Sequence, residues 1–236
     1  MQSKNIFNKL DKWDQKIILR LNGIGGKPVT IFLKILSFAG RETIWMFLLV
    51  FYLFIYYDPL LFSYIGSIFL LGVVIIAPIK KFFNRDRPFE ILEDIKVLER
   101  KPTSRSFPSW HAYNVASQGL LLAYLLNSLL VAILVLIFAV IISFSRIQLG
   151  VHYPSDVVFG FFIGFIGFIL AISIVTPILM RVISFFELAI GSQIHYQVFN
   201  PLLLENFFYS ILVLGLMILI FILAINKRIK AFIRKL

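Results

Sequence analysis

Long uncharged apolar runs alternate along this chain with short polar stretches. Leu60 to Ile79 is uncharged over the ~20 residues that a bilayer core requires. Thr43 to Tyr57 is also uncharged, and reaches that length if extended by a turn; Asp58-Pro59 separates the two. Ala112 to Phe144 carries no charge over 33 residues. At ~1.5 Å per residue one helix there would be about 50 Å long, against a core of ~30 Å. Two shorter spans joined near Asn127-Ser128 are therefore expected. Val157 to Met180 is another run of span length, and Asn206 to Asn226 is the last. The pattern predicts an all-α, polytopic membrane helix bundle with about six transmembrane helices.

The ends read differently. Trp13, Ile17, Ile18 and Leu21 recur at helical spacing, with Lys9, Lys12, Lys16 and Arg20 between them. That is the pattern of an amphipathic interfacial helix. It is too charged for a cleavable signal peptide. Gly23, Gly25, Gly26 and Pro28 break it, and Val29 to Phe38 reads as a second interfacial or re-entrant piece. The expected division is an N-terminal interfacial segment (1–42), a membrane core (43–180), and a C-terminal part with the last span and a basic tail (181–236). No internal repeat or low-complexity linker is visible.

Composition narrows the class. The chain of 236 residues is 60% hydrophobic with a mean hydropathy of +0.92, above the ~45–50% of soluble domains. It has no cysteine, so disulfides and thiolate chemistry are excluded. The net charge of +11 fits membrane-flanking Lys and Arg touching anionic lipid, with a share left to attract a phosphorylated substrate. No basic helix or aromatic platform outside the membrane runs points to nucleic acid.

Three polar stretches interrupt the runs: KKFFNRDRP (Lys80 to Pro88), PSWH (Pro108 to His111) and SRIQLGVHYPSD (Ser145 to Asp156). They supply Lys80, Arg87, Ser109, His111, Arg146, His152 and Asp156. Cations, two imidazoles and a carboxylate suit a place where phosphate is held and attacked. Catalysis on a phosphate monoester needs cations on its oxygens, a neutral nucleophile and an acid for the leaving group. Neutral imidazole is such a nucleophile, and a carboxylate on its other ring nitrogen fixes the tautomer. His152 and Asp156 suit that pair, with Pro154 placed for the first turn of the next helix. Lys80 precedes Arg87 by seven residues; a helix continuing to Arg87 would put both on one face. Lys81 and Arg85 read as topology or lipid charges, and Lys96, Arg100 and Lys101 as solvated loop charges. His195 reads as an interfacial polar residue, and Gly160, Gly164 and Gly167 as a small face for helix packing.

The ordered set K-x6-R-P, P-S-x-H and S-R-x5-H-x3-D resembles the type 2 phosphatidic acid phosphatase superfamily, over roughly Pro59 to Phe168. That group covers membrane lipid phosphatases, glucose-6-phosphatases and vanadium haloperoxidases. Trp110 stands where the second motif usually has Gly, which removes no side chain with catalytic chemistry. The resemblance implies His152 as nucleophile, Asp156 as its partner and His111 as general acid. It implies Lys80, Arg87, Ser109 and Arg146 on the phosphoryl oxygens, helped by backbone N–H groups near Ser109. No metal and no other cofactor is required by that scheme. The implied substrate is a phosphorylated membrane lipid: phosphatidic acid, phosphatidylglycerol phosphate, polyprenyl diphosphate or a lipid A phosphate.

Other readings stay open. The same intermediate could pass its phosphoryl group to a second lipid instead of water. A transporter or channel predicts charges scattered along several spans, whereas here they cluster at span ends. A metallohydrolase would use His111, His152 and Asp156 as ligands, against the repulsion of neighbouring cations. Ser109 could be a serine nucleophile beside His111, but would not need so many cations. The hydrophobicity argues against a soluble vanadium peroxidase. The basic residues gather on the motif face, which the positive-inside rule would place in the cytoplasm. The resemblance instead implies an extracytoplasmic site in a bacterial-type inner membrane.

Overall fold

Asn127 and Ser128 turn the chain back on itself. Asn127 adopts a left-handed conformation (φ 45°, ψ 43°) and ends α6 (Trp110–Leu126). The Ser128 side chain accepts from the Val131 N–H at 3.4 Å and opens α7 (Leu129–Gln148). Asn tolerates the left-handed region and Ser satisfies an orphan helix donor, so two polar residues suffice to cut the long apolar run in two. The protein is described here from a computed structural model covering residues 2–190 and 196–233, with side chains from 9 to 190 and 196 to 223. His195 and the side chains of the basic tail lie outside the described residues.

The other helices are α1 (Gln2–Leu21), α2 (Gly26–Ser37), α3 (Glu42–Val50), α4 (Pro59–Phe83) and the short α5 (Pro88–Ile91). After α7 come α8 (Pro154–Leu170), α9 (Thr176–Ile190), the short α10 (Leu202–Glu205) and α11 (Phe207–Ile233). No strand forms among the described residues; Tyr56 and Phe199 make an isolated bridge. Packing sorts the chain into two units. One holds residues 1–41 and 70–170, the other 42–69 and 171–236. Residues 1–41 thus share a unit with all three motifs.

In the motif unit, α6 packs against both α7 and α8. A Cβ on Gly164 would sit 2.7 Å from the Tyr113 carbonyl oxygen, and one on Gly160 would strike the carbonyl of Ser109. The glycine face therefore does what its spacing predicts: it lets α8 lie against the backbone of α6. Tyr113, fully buried, fills the space beside Gly72 and Gly167. Val115, Ala139 and Ile142 form a small core with Leu36 and Phe161. The second core joins Ile18 of α1 to Ile95, Ala112, Ile147, Tyr153 and Val157.

The surface inverts the rule for soluble proteins. Leu129 and Leu130 are 78% and 67% exposed, and Phe162 is 61% exposed. Ser109, Asn114, Ser117, Gln118, Ser145, Arg146 and Gln148 are buried. An apolar exterior around a polar interior is stable in hydrocarbon, not in water. Among the described residues, three runs are long and apolar enough to cross a membrane: Pro59–Ile91, Leu129–Gln148 and Pro154–Ile190. Helix α6 has 17 residues, and Phe207–Leu223 is a shorter apolar helix. The six expected runs thus fall on helices, and Gly26–Gly40 with Glu42–Ile55, bent by 41° between them, makes a fourth segment of span length if taken as one.

In the second unit, Thr176 Oγ1 donates to Ser67 Oγ at 2.9 Å, and the Tyr57 hydroxyl donates to Glu187 at 2.6 Å. Helix α9 continues past the expected end of its span at Met180 as far as Ile190.

One expectation near the first motif changes. Helix α4 runs through Pro78 but stops at Phe83, where Asn84 turns left-handed (φ 46°). Lys80 and Arg87 therefore do not share a helix face, and Arg87 instead precedes α5 as its N-cap residue. Val29 to Phe38 falls mostly in α2, which packs on α7 with Thr30, Leu33 and Ser37 buried.

Candidate active site

The hairpin of α6 and α7 brings the second and third motifs to one end of the motif unit. The Ser109 N–H donates to the Asp156 carbonyl at 2.9 Å, so the start of α6 is tied to the first turn of α8. His152 lies in the short loop between α7 and α8, with Pro154 as the first residue of α8.

His152 is 3% exposed and each ring nitrogen faces a different partner. Arg87 Nη1 stands 3.2 Å from Nε2. Nδ1 faces Asp156 Oδ2 at 3.5 Å. A guanidinium offers donors only, so Nε2 accepts and the ring proton belongs on Nδ1, beside the carboxylate. Burial pushes the imidazole well below the ordinary histidine range, and the charges of Arg87, Lys80 and Arg146 push it the same way. The result is a neutral ring whose Nε2 lone pair faces a cluster of cations.

Asp156 is fully buried. Its Oδ2 accepts from Ser106 Oγ at 2.5 Å and from the Tyr153 N–H at 2.9 Å. Its Oδ1 accepts from Arg85 Nη1 at 2.7 Å. A buried carboxylate is tolerated because its lone pairs are met.

The cations are held by protein oxygens. Arg87, 2% exposed, donates to the carbonyls of Ser104 and Val151 at 2.7 and 2.6 Å. Lys80 Nζ donates to the carbonyls of Arg105 and Ser106 at 2.7 and 3.2 Å. Arg146 pairs with Glu99 and donates to Ser37 Oγ at 2.7 Å. His111, partly exposed on the first turn of α6, lies within electrostatic reach of Arg146 and His152 and packs beside Gly40. Ser109 is fully buried; its Oγ caps α6 by accepting from the Ala112 N–H at 3.4 Å. Its backbone N–H is taken by Asp156, so that donor does not face an anion. The ring of Trp110, the departure from the usual motif, packs beside Tyr113. Among the described residues no three His, Cys, Asp or Glu side chains stand close enough together to hold a metal ion.

Four residues here escaped the sequence: Asp14, Arg85, Glu99 and Ser106. Arg85 is not a topology or lipid charge. It forks across Asp11 (2.7 Å), Asp14 (2.6 Å) and Asp156 (2.7 Å), and its guanidinium lies over the Tyr153 ring at 4.2 Å. Its place two residues before Arg87 was the available signal. Nothing local marks Asp14 or Glu99, because their partners are far away in the chain. Lys81, Lys96, Arg100 and Lys101 are exposed, as solvated or lipid-facing charges are.

The PAP2 superfamily model matches residues 59–179. An undecaprenyl-diphosphatase of Sulfolobus acidocaldarius is 36% identical over 96 residues, 41% of this chain and 46% of that protein. Phosphatidylglycerophosphatase B of Bacillus subtilis is 34% identical over 101 residues, 39% of this chain and 47% of that protein. The chain thus spans about half the length of these curated relatives. Among solved structures, Aquifex aeolicus LpxE aligns with a TM-score of 0.58 at 27% identity, covering 66% of this chain and 93% of that one.

Proposed function

The chain belongs to the PAP2 superfamily, and from that premise we propose that it is an integral membrane phosphatase acting on a phosphorylated lipid. One observation carries the reading: the two nitrogens of His152 are divided between Arg87 and Asp156, with Nε2 turned toward the cations. That is the arrangement an attacking imidazole needs.

In the proposed mechanism Lys80, Arg87 and Arg146 take the phosphoryl oxygens, and Ser109 holds the start of α6 in place. As Arg87 turns its Nη1 from His152 Nε2 to a phosphoryl oxygen, the freed Nε2 lone pair attacks phosphorus, and the bond from phosphorus to the leaving oxygen breaks. His111 gives that oxygen a proton. The charge developing on the imidazolium is met by Asp156 through Nδ1–H. Water then attacks the phosphohistidine, His111 takes the proton of the water, and the N–P bond breaks to release phosphate. The cations supply the charge neutralisation that a metal ion would otherwise give. A phosphorylated lipid fits an ion-binding cluster at the end of an apolar-walled unit. The names of the relatives point to polyprenyl diphosphate or phosphatidylglycerol phosphate among such lipids. In this reading the site opens on the extracytoplasmic face. Labelling a cysteine added between Glu90 and Glu99 in intact cells tests this: protection from an impermeant reagent would refute it.

The test of function is turnover in detergent of a panel holding phosphatidic acid, phosphatidylglycerol phosphate, undecaprenyl diphosphate and a lipid A phosphate, each with labelled phosphorus. Free labelled phosphate from one of them is expected. Label appearing on a second lipid would show a phosphotransferase, and no turnover of any of them would refute the reading.

A further inference from the structure

Asp14 sits on α1, far in sequence from every motif, yet it is fully buried at the edge of the site. Its Oδ1 accepts from the Ser155 N–H at 2.9 Å, in the first turn of α8. Its Oδ2 accepts from Ser155 Oγ at 2.5 Å and from Arg85 Nη2 at 2.6 Å. The other arm of Arg85 reaches Asp156 Oδ1 at 2.7 Å. A continuous path therefore runs from α1 through Arg85 to the carboxylate that faces His152.

We propose that Asp14 is a positioning residue for the phosphoryl-transfer chemistry, acting through Arg85 on Asp156; this rests on the reading of His152 as nucleophile. Two effects combine. Asp156 Oδ2 is held by Ser106 and the Tyr153 N–H while it faces His152, and the contact of Arg85 at Oδ1 fixes the second oxygen. The arm of Arg85 that makes that contact is aimed by Asp14 on the other arm. The second effect is charge. A guanidinium bound to Asp156 alone would neutralise it and weaken its hold on an imidazolium. Shared with Asp14, and at its exposed edge with Asp11, the guanidinium leaves Asp156 its negative character. Ionised side chains are kept away from water only where they are paired, and Arg85 contacts both buried carboxylates, Asp14 and Asp156.

A purely structural role makes a different prediction. If Asp14 only caps α8, Asp14→Asn keeps an acceptor for the Ser155 N–H and changes stability alone. If it positions Asp156, Asp14→Asn lowers kcat by about 10-fold or more, as loss of an outer partner of a catalytic group does, and leaves KM within about twofold, since no phosphate contact is lost. Asp14→Glu, which keeps the charge, recovers part of kcat. Arg85→Gln lowers kcat too, and the double variant Asp14→Asn/Arg85→Gln is no slower than Arg85→Gln alone, because one residue acts through the other. The experiment is steady-state release of phosphate from dioctanoyl phosphatidic acid, or from whichever panel lipid the wild type turns over, by the full chain in detergent. Folding is followed by thermal unfolding of each variant.

An Asp14→Asn protein with wild-type kcat overturns the proposal, and so does full additivity in the double variant. Should Asp14→Asn fail to fold, Arg85→Lys tests the same link, since an ammonium cannot fork between two carboxylates. Wild-type kcat in Arg85→Lys would then refute the proposal. His152→Ala is measured alongside: if it is inactive while Asp14→Asn is normal, only this inference falls; if His152→Ala turns over normally, the underlying reading falls with it.

Discussion

Glu99 grips Arg146 with both carboxylate oxygens, one of them 3.1 Å from Nη1. Arg146 is 2% exposed, and a fork-on-fork pair of this kind is what a phosphoryl group would otherwise make with the same guanidinium. A charge kept in a membrane protein's interior needs such a partner. Arg146→Ala is expected to raise KM for a lipid phosphate and to cost about 3–5 kcal/mol of stability, because Glu99 is left unpaired. Adding Glu99→Gln should restore much of the stability and none of the KM. Thermal unfolding and steady-state kinetics of the three variants check this; recovery of KM in the double variant would contradict phosphate binding by Arg146.

His152→Ala is expected to abolish turnover and any acid-labile phosphoenzyme trapped from the wild type. Its fold should survive, since the ring accepts from one guanidinium and anchors no helix. Quenching with labelled substrate and detecting protein-bound phosphorus is the measurement. Wild-type turnover in the variant would end the nucleophile assignment.

The pH dependence follows from the same ring. His152 is held neutral by burial and by the surrounding cations, so its folded pKa lies below the unfolded value of ~6.5. The unfolded chain takes up the proton first. Stability is therefore fully present above ~6.5 and is lost as pH falls from there through the folded pKa. Melting temperatures in detergent should drop over that window in the wild type, and the drop should be smaller in His152→Gln. Equal pH profiles would contradict a neutral buried ring.

Two glycines of one chain should respond oppositely to alanine. Ala is better than Gly in a helix interior by ~0.5–1 kcal/mol. At Gly215 of α11 a Cβ meets nothing within 4 Å, so Gly215→Ala should stabilise slightly. At Gly164 the Cβ would lie 2.7 Å from a backbone carbonyl that cannot step aside. The overpacking cost of ~1–3 kcal/mol then exceeds the helix gain. Gly164→Ala should lower the melting temperature, and kcat with it, because α6 carries Ser109 and His111. A stabilised Gly164→Ala protein would refute the close approach of α6 and α8.

Chelation separates cation-assisted from metal-assisted chemistry. Turnover after prolonged exposure to EDTA is expected to equal that before it. Loss of turnover restored by a divalent cation would replace the proposed mechanism.

By itself the sequence determined the helical membrane class, the place of the turn at Asn127-Ser128 and the packing face of Gly160, Gly164 and Gly167. These are set locally, by the length of an apolar run against a bilayer and by residue size at helical spacing. It also marked Lys80, Arg87, Ser109, His111, Arg146, His152 and Asp156, because their motifs keep fixed offsets. Tertiary structure alone decided what those residues face. Helix α4 ends at Phe83, so Arg87 reaches His152 from a loop and not from the helix face that carries Lys80. Asp14 meets Arg85 across 71 positions of the chain, and Arg146 meets Glu99 across 47. Contacts of that kind have no period and no spacing. They arise when buried charges find partners as helices pack, and the cost of leaving a charge unpaired, more than any local preference, selects them.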